Sequence, residues 1–150
     1  MVDTIWPSGE PILTKDAEPW QFGKIRYLRR GTDVCILTYG DITKMATAIA
    51  DRLQAQGKSV SLVSVHTMKP LDHDGIVKAL KTHKQVIVIE EHAPQGGLAP
   101  QTKQLAWDSK ATCRLDTFTL QDKFIHNYGT YEDLLGAHGL SPNRILAAVA

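Results

Sequence analysis

The sequence predicts an α/β domain, with a mainly parallel sheet and helices packed on both of its faces. Three observations point there. Short β-rich apolar runs recur at Val34–Tyr39, Val60–Val65 and Val86–Ile89. Amphipathic stretches of helical period separate them. Turn residues stand at each change of period, so strand and helix alternate in the βαβ manner, with right-handed crossovers.

The chain opens on a segment that suits neither helix nor strand. Pro7, Gly9, Pro11, Pro19 and Gly23 interrupt residues 1–23, and Trp6 and Trp20 stand among polar residues. This reads as a linker or arm that packs against the domain of residues 24–150 or against a neighbouring one. Lys24 to Arg30 alternates charged and apolar residues, the pattern of a short edge strand. Gly31-Thr32-Asp33 makes a turn into the buried run Val34–Tyr39.

A helix follows, with Ile42, Met45, Ala46, Ile49, Ala50 and Leu53 inward, Asp41 as its expected N-cap and Gly57 just past its end. After Val60–Val65, Pro70 stops extension and Asp72 is placed to cap a second helix. Ile76, Val77 and Leu80 line its inner face, and it runs to about His83. Val86–Ile89 is the next strand. Gly96-Gly97 then allows a tight turn into a third helix, about Leu98 to Ser109, with Leu98, Thr102, Leu105 and Ala106 inward. Cys113 to Leu120 alternates as a last strand. Thr130-Tyr131-Glu132-Asp133 resembles a capping box, and Gly139 ends that helix after Leu134 and Leu135. Ser141-Pro142 opens the final helix, with Ile145, Leu146 and Val149 inward.

The chain of 150 residues is long enough to bury a core. Lysine and arginine number 17 against 16 aspartates and glutamates, so nothing in the charge balance favours nucleic acid or an anionic membrane as partner. Cys35 and Cys113 sit in apolar settings and read as buried thiols. No apolar run approaches the ~20 residues of a membrane span, and no charged-then-apolar leader begins the sequence. A cytoplasmic protein is the expectation.

In a parallel sheet three strand ends share one edge. They gather Tyr39-Gly40-Asp41, His66-Thr67 and Glu90-Glu91-His92, with Gly96-Gly97 nearby. Open α/β sheets take ligands at that edge. A histidine pair with acidic neighbours suits acid–base work, or a metal if Asp41 or Glu91 supplies a third ligand. The same residue types also serve as caps and turns. No Gly-x-Gly-x-x-Gly, P-loop or Gly-x-Ser-x-Gly pattern is present. His126-Asn127-Tyr128-Gly129-Thr130 is a second candidate, whose simplest reading is a loop into a capped helix. His73, His83 and His138 are expected at the surface, and Tyr27 and Tyr131 as half-buried contacts.

Several pieces, in order, resemble one family. They are Phe22-Gly23-Lys24, Gly31-Thr32-Asp33-Val34, Thr38-Tyr39-Gly40, Val65 to Asp72 (Val-His-Thr-Met-Lys-Pro-Leu-Asp), Glu90-Glu91-His92 and Gly96-Gly97-Leu98. Together they resemble the C-terminal domain of transketolase-like thiamine diphosphate enzymes. The stretch from Phe124 through Gly129 and Asp133-Leu134-Leu135 to Gly139-Leu140 is similar to the tail of transketolase and of 1-deoxyxylulose-5-phosphate synthase.

The resemblance implies a three-layer α/β/α fold. Its five-stranded mixed sheet would have the order 1-3-2-4-5, with the first strand antiparallel. It also implies that this chain binds no cofactor alone, and that thiamine diphosphate and magnesium belong to the other domains of the complete enzyme. The chain would begin about where the preceding domain ends. It lacks the family's Gly-Asp-Gly motif, since Gly40-Asp41 is followed by Ile42. No family catalytic or metal-binding residue carries over. Asp41, His66, Thr67, Glu90, Glu91, His92, Gly96 and Gly97 then read as a contact edge toward the thiamine-binding domains or subunit, or toward a dimer partner. One departure from the family stands out: Ala99-Pro100 replaces its usual glycine and serine after Leu98, which is expected to alter the helix start.

The expected function is that of a C-terminal assembly domain or subunit of a transketolase-like enzyme, which moves a two-carbon ketol unit between sugar phosphates. The alternatives are a fragment of 1-deoxyxylulose-5-phosphate synthase and a stand-alone ligand-binding or regulatory module.

Overall fold

The structure, a computed structural model, describes residues 17–126 and 128–149. Most of the expected arm, residues 1–16, lies outside them. The elements follow the order β1 (Arg26–Arg29), β2 (Val34–Thr38), α1 (Thr43–Ala55), β3 (Val60–Ser64), α2 (His73–Thr82) and β4 (Gln85–Ile89). Then come α3 (Leu98–Asp108), β5 (Arg114–Phe118), α4 (Tyr131–Ala137) and α5 (Pro142–Val149). The sheet has five strands in the order β1-β3-β2-β4-β5. β1 runs antiparallel to β3, with a register shift between Tyr27 and Arg29, and the other pairings are parallel.

Strand period explains the layers. In β2 every residue is buried. Val34 and Ile36 face a core shared with Ile49 and Leu53 of α1, Leu135 of α4 and Ile145 of α5. Cys35 and Leu37 face the opposite core, with Ile76 and Leu80 of α2 and Leu98 of α3. A strand covered on both faces has no reason to alternate polar with apolar. The chain steps one way from β2 to β3 and back past β2 to β4. With one crossover hand, that reversal moves the helices from one face to the other.

Local signals decide the helix ends. Asp72 caps α2, its Oδ1 accepting from Gly75 N at 3.2 Å. It also accepts from Ile25 N at 3.0 Å and Lys24 Nζ at 3.3 Å, which fastens the entry of β1 to α2. Burial pushes its carboxyl up, but the Ile25 and Gly75 amides and Lys24 outweigh this and hold it below the usual carboxylate range. Thr130 and Asp133 form a full capping box on α4. Arg144 N donates to Ser141 Oγ at the start of α5. Gly57 and Gly139 follow α1 and α4 as expected.

Several expectations change. Asp41 does not cap α1: the N-cap is Ile42 and no side chain caps it, while the Asp41 carbonyl accepts from Lys44 N. His83 is buried, not at the surface. Its Nδ1 lies 3.0 Å from the Ala79 carbonyl, and its Nε2 lies 3.0 Å from Ser61 Oγ and 3.2 Å from the Gly31 carbonyl. It ties the end of α2 to β3 and to the β1–β2 turn, partners the local sequence gave no sign of. His138 is half-buried, accepting from Gln121 N, and His73 is exposed. Cys35 is buried but Cys113 only half-buried, and both are free thiols. Burial lifts Cys35 to about 12. Among the described residues no helix is long and apolar enough to cross a membrane.

Replacing Asp72 by alanine removes a helix cap and the β1 tether. Urea denaturation is expected to show a loss of about 1–2 kcal/mol at neutral pH. The folded-state pKa is depressed, so the wild-type advantage is present above the unfolded carboxylate range and fades as pH falls through the folded value. The stability curves of Asp72→Ala and wild type should therefore converge in acid.

Candidate functional site

β2 and β4 are neighbours, yet α1 leaves β2 toward one face and α3 leaves β4 toward the other. This is the topological switch point, the crevice where such sheets take ligands. Here the crevice holds a side chain of the protein itself. Glu90, the first residue after β4, is fully buried. Its Oε2 accepts from Leu98 N at 2.6 Å and its Oε1 from Ala99 N at 2.8 Å. Tyr39, the first residue after β2, donates its hydroxyl to Oε2 at 3.0 Å. The carboxylate acts as acceptor in all three contacts and lies at the positive end of α3. Burial, and then the charge of Glu90, lift the Tyr39 phenol to about 12, so it stays a donor at neutral pH.

The turn before α3 is shaped to this carboxylate. A Cβ on Gly97 would lie 2.4 Å from Oε2 and 2.6 Å from Oε1 of Glu90. Gly96 has a different reason to be glycine, since its φ is +81° and a Cβ there would meet nothing closer than His92 Cε1 at 3.9 Å. Leu98 and Ala99 supply the two amides that Glu90 needs. Pro100 falls in the first turn, where a missing N–H costs nothing, and α3 still begins at Leu98.

The other edge residues separate into three groups. His66 and Thr67 hold the N-terminal approach. His66 Nε2 lies 3.1 Å from the Gln21 carbonyl, Trp20 packs on the imidazole at 5.4 Å between centroids, and Gly23 N donates to Thr67 Oγ1. Glu91 points to the α4 side, where Tyr131 donates to its Oε2 at 2.7 Å. Burial, then Glu91, Asp41 and Glu132, push that phenol up. Asp41 lines a cleft of about 320 Å³ with Met45, Tyr131, Leu135 and Pro142. His92, Gly96 and Gly97 line a groove of about 700 Å³, with Tyr39, residues 68–71, His73 and Gln101. The edge is thus shared by these residues without converging on one point, and no three His, Cys, Asp or Glu side chains among the described residues gather as metal ligands.

Exposed aromatics stand beside two of these residues. Trp20 lies between Phe22 and His66, and Tyr131 beside Glu91. Phe124 is 93% exposed and Tyr128 is fully exposed on the connection to α4. That connection is the second sequence candidate. It is a loop into the capped helix, and Asn127 lies outside the described residues.

A model of the transketolase C-terminal domain family matches residues 23–145. The chain belongs to that family. The 1-deoxy-D-xylulose-5-phosphate synthase of Syntrophotalea carbinolica is 30% identical over 147 residues, 96% of this chain and 23% of that protein. The synthase of Bacillus licheniformis is 30% identical over 138 residues, 91% of this chain and 22% of that one. The chain therefore spans less than a quarter of these curated relatives. A solved structure described as a split-gene transketolase, an inactive β4 tetramer, has a TM-score of 0.73 at 27% identity, covering 87% of this chain and 41% of that one. Transketolase from Campylobacter jejuni shares the fold, with a TM-score of 0.56 at 15% identity over 85% of this chain and 18% of that one.

The three-layer fold and the 1-3-2-4-5 order expected of a transketolase C-terminal domain are both found. The domain's own residues do not fit thiamine diphosphate. Its switch-point amides are taken by Glu90, and the chain has no Gly-Asp-Gly. What sequence reasoning missed was the part played by Tyr39. Its position, one residue past a buried strand and level with Glu90, was the available signal.

Two glycine substitutions separate the constraints at this turn. Gly97→Ala drives a methyl into a pinned carboxylate and is expected to cost about 1–3 kcal/mol. Gly96→Ala makes only an ordinary contact with the His92 ring, 3.9 Å away, but is held at positive φ, and should cost about 1 kcal/mol. Thermal and urea denaturation of the two variants, side by side, measure the difference.

Proposed function

We propose that the chain is the C-terminal assembly domain, or subunit, of a transketolase-like enzyme, and that it is not catalytic alone. One observation carries the reading: the position where this fold takes a ligand holds the domain's own Glu90, bonded to Tyr39 and to the start of α3. The exposed aromatics beside His66 and Glu91 support a covered surface, since large exposed apolar groups mark contact sites. In this reading Asp41, His66, Thr67, Glu91, His92 and the Gly96-Gly97 turn form a contact edge, with Glu90 as its internal brace. The thiamine-binding domains or subunit, and a second copy in a dimer, are the partners. Residues 1–23 are the connecting arm, docked at Trp20 to Gly23 and leading toward the cofactor-binding part. Thiamine diphosphate and magnesium are bound there, in a cytoplasmic enzyme of pentose phosphate metabolism.

Ketol transfer between sugar phosphates is the reaction of choice, supported by the likeness to the split transketolase. A second reading, synthesis of 1-deoxyxylulose 5-phosphate, is favoured by the 30% identity to two such synthases. The two differ in whether pyruvate is decarboxylated.

The test mixes the chain with a separately produced thiamine-binding half. Association is expected, together with ketol transfer that neither part has alone. Decarboxylation of pyruvate by the mixture, without ketol transfer from a ketose phosphate, selects the second reading. No association and no gain in either assay contradicts the proposal.

A further inference from the structure

The groove of about 700 Å³ between the β3–α2 loop and the start of α3 has a one-sided charge. Lys69, His73 and His92 line it, and no carboxylate does. The side chains of Lys69 and His73 have no hydrogen-bond or ion-pair partner among the described residues. His92 spends Nδ1 on its own Ala93 carbonyl at 2.9 Å, which leaves Nε2 unused. Two acids next to lining residues, Asp72 and Glu90, are committed elsewhere. Asp72 holds Ile25 N, Gly75 N and Lys24, and Glu90 is turned into the amides of α3 and the Tyr39 hydroxyl. An unpaired lysine beside a concavity sets up a positive potential that is met from outside the fold, and the two imidazoles add ring nitrogens that can bond an anion.

At about 700 Å³ the groove is large enough to hold a small metabolite. Its walls include Met68, Pro70, Leu71 and the Gly96-Gly97 backbone, with the polar groups of Tyr39 and Gln101 already bonded to Glu90 and to the Gly97 carbonyl. We infer that this groove binds a small oxyanion ligand, a metabolite bearing phosphate or carboxylate groups. Lys69 and His92 are its donors and His73 stands over the same space. The inference goes beyond the assembly reading and does not rest on it.

The test titrates the intact chain at low ionic strength with inorganic phosphate and, separately, with citrate. The ring C–H resonances of His73 and His92 are followed by NMR. Both should shift together in one saturable step, and tighter binding of phosphate or of citrate tells which oxyanion the site prefers. Lys69→Met should weaken binding about tenfold, the size of one lost charge-assisted contact. Lys58→Met, at the opposite edge, should leave it unchanged. Should Lys69→Met fail to fold, His73→Gln must show weakening in its place. No saturable shift with either anion, or equal affinity in wild type and the folded groove variant, overturns the inference.

Discussion

The buried carboxylate of Glu90 is the constraint on which the rest of this edge depends. A carboxylate taken from water is costly unless its oxygens are hydrogen-bonded. Leu98 N, Ala99 N and Tyr39 Oη meet that demand and in doing so fix three elements at once. β4 delivers the acid, β2 the phenol and α3 the amides. The demand then reaches into the sequence around it. Residue 97 has no room for a side chain, and α3 has no remaining use for an N–H at position 100.

That arrangement also explains what the edge is free to do. In a doubly wound sheet the switch-point crevice and the adjoining helix start are the natural anion site. Here the carboxyl group at that position is the domain's own Glu90. Exposed Trp20 and Tyr131 stand along this edge, on His66 and on Glu91. The approach segment is docked on the same edge through His66 and Thr67. Membership of the transketolase C-terminal domain family accords with this division, since the relatives carry such a domain within much longer chains.

Much of the fold was legible because it rests on local periodicity. The apolar runs of β2, β3 and β4, the inner faces of α1 and α2, the Asp72 cap and the capping box at Thr130 all depend on residues close in sequence. The sheet order was not legible from periodicity and came from the family resemblance. The roles that went unread depend on distant partners. Glu90-Glu91-His92 looks the same whether it serves chemistry or structure, and only the position of Leu98, Ala99 and Tyr39 in space decides for Glu90. His83 lies between Thr82 and Lys84 and so reads as surface. It is buried because Ser61 and Gly31 come to it from other parts of the chain. Asp41 misses the cap for a local reason: α1 begins one residue later than the pattern suggests, with Ile42 at the N-cap.

The most direct test of the central claim is Glu90→Gln, read by amide hydrogen exchange and equilibrium unfolding. A glutamine is isosteric but offers one acceptor oxygen, so its amide nitrogen must face a backbone N–H that a carboxylate oxygen now accepts. The account predicts loss of protection at the Leu98 and Ala99 amides, fraying of the first turn of α3, and a stability loss of about 2–3 kcal/mol. Unchanged protection at both amides with wild-type stability would contradict it.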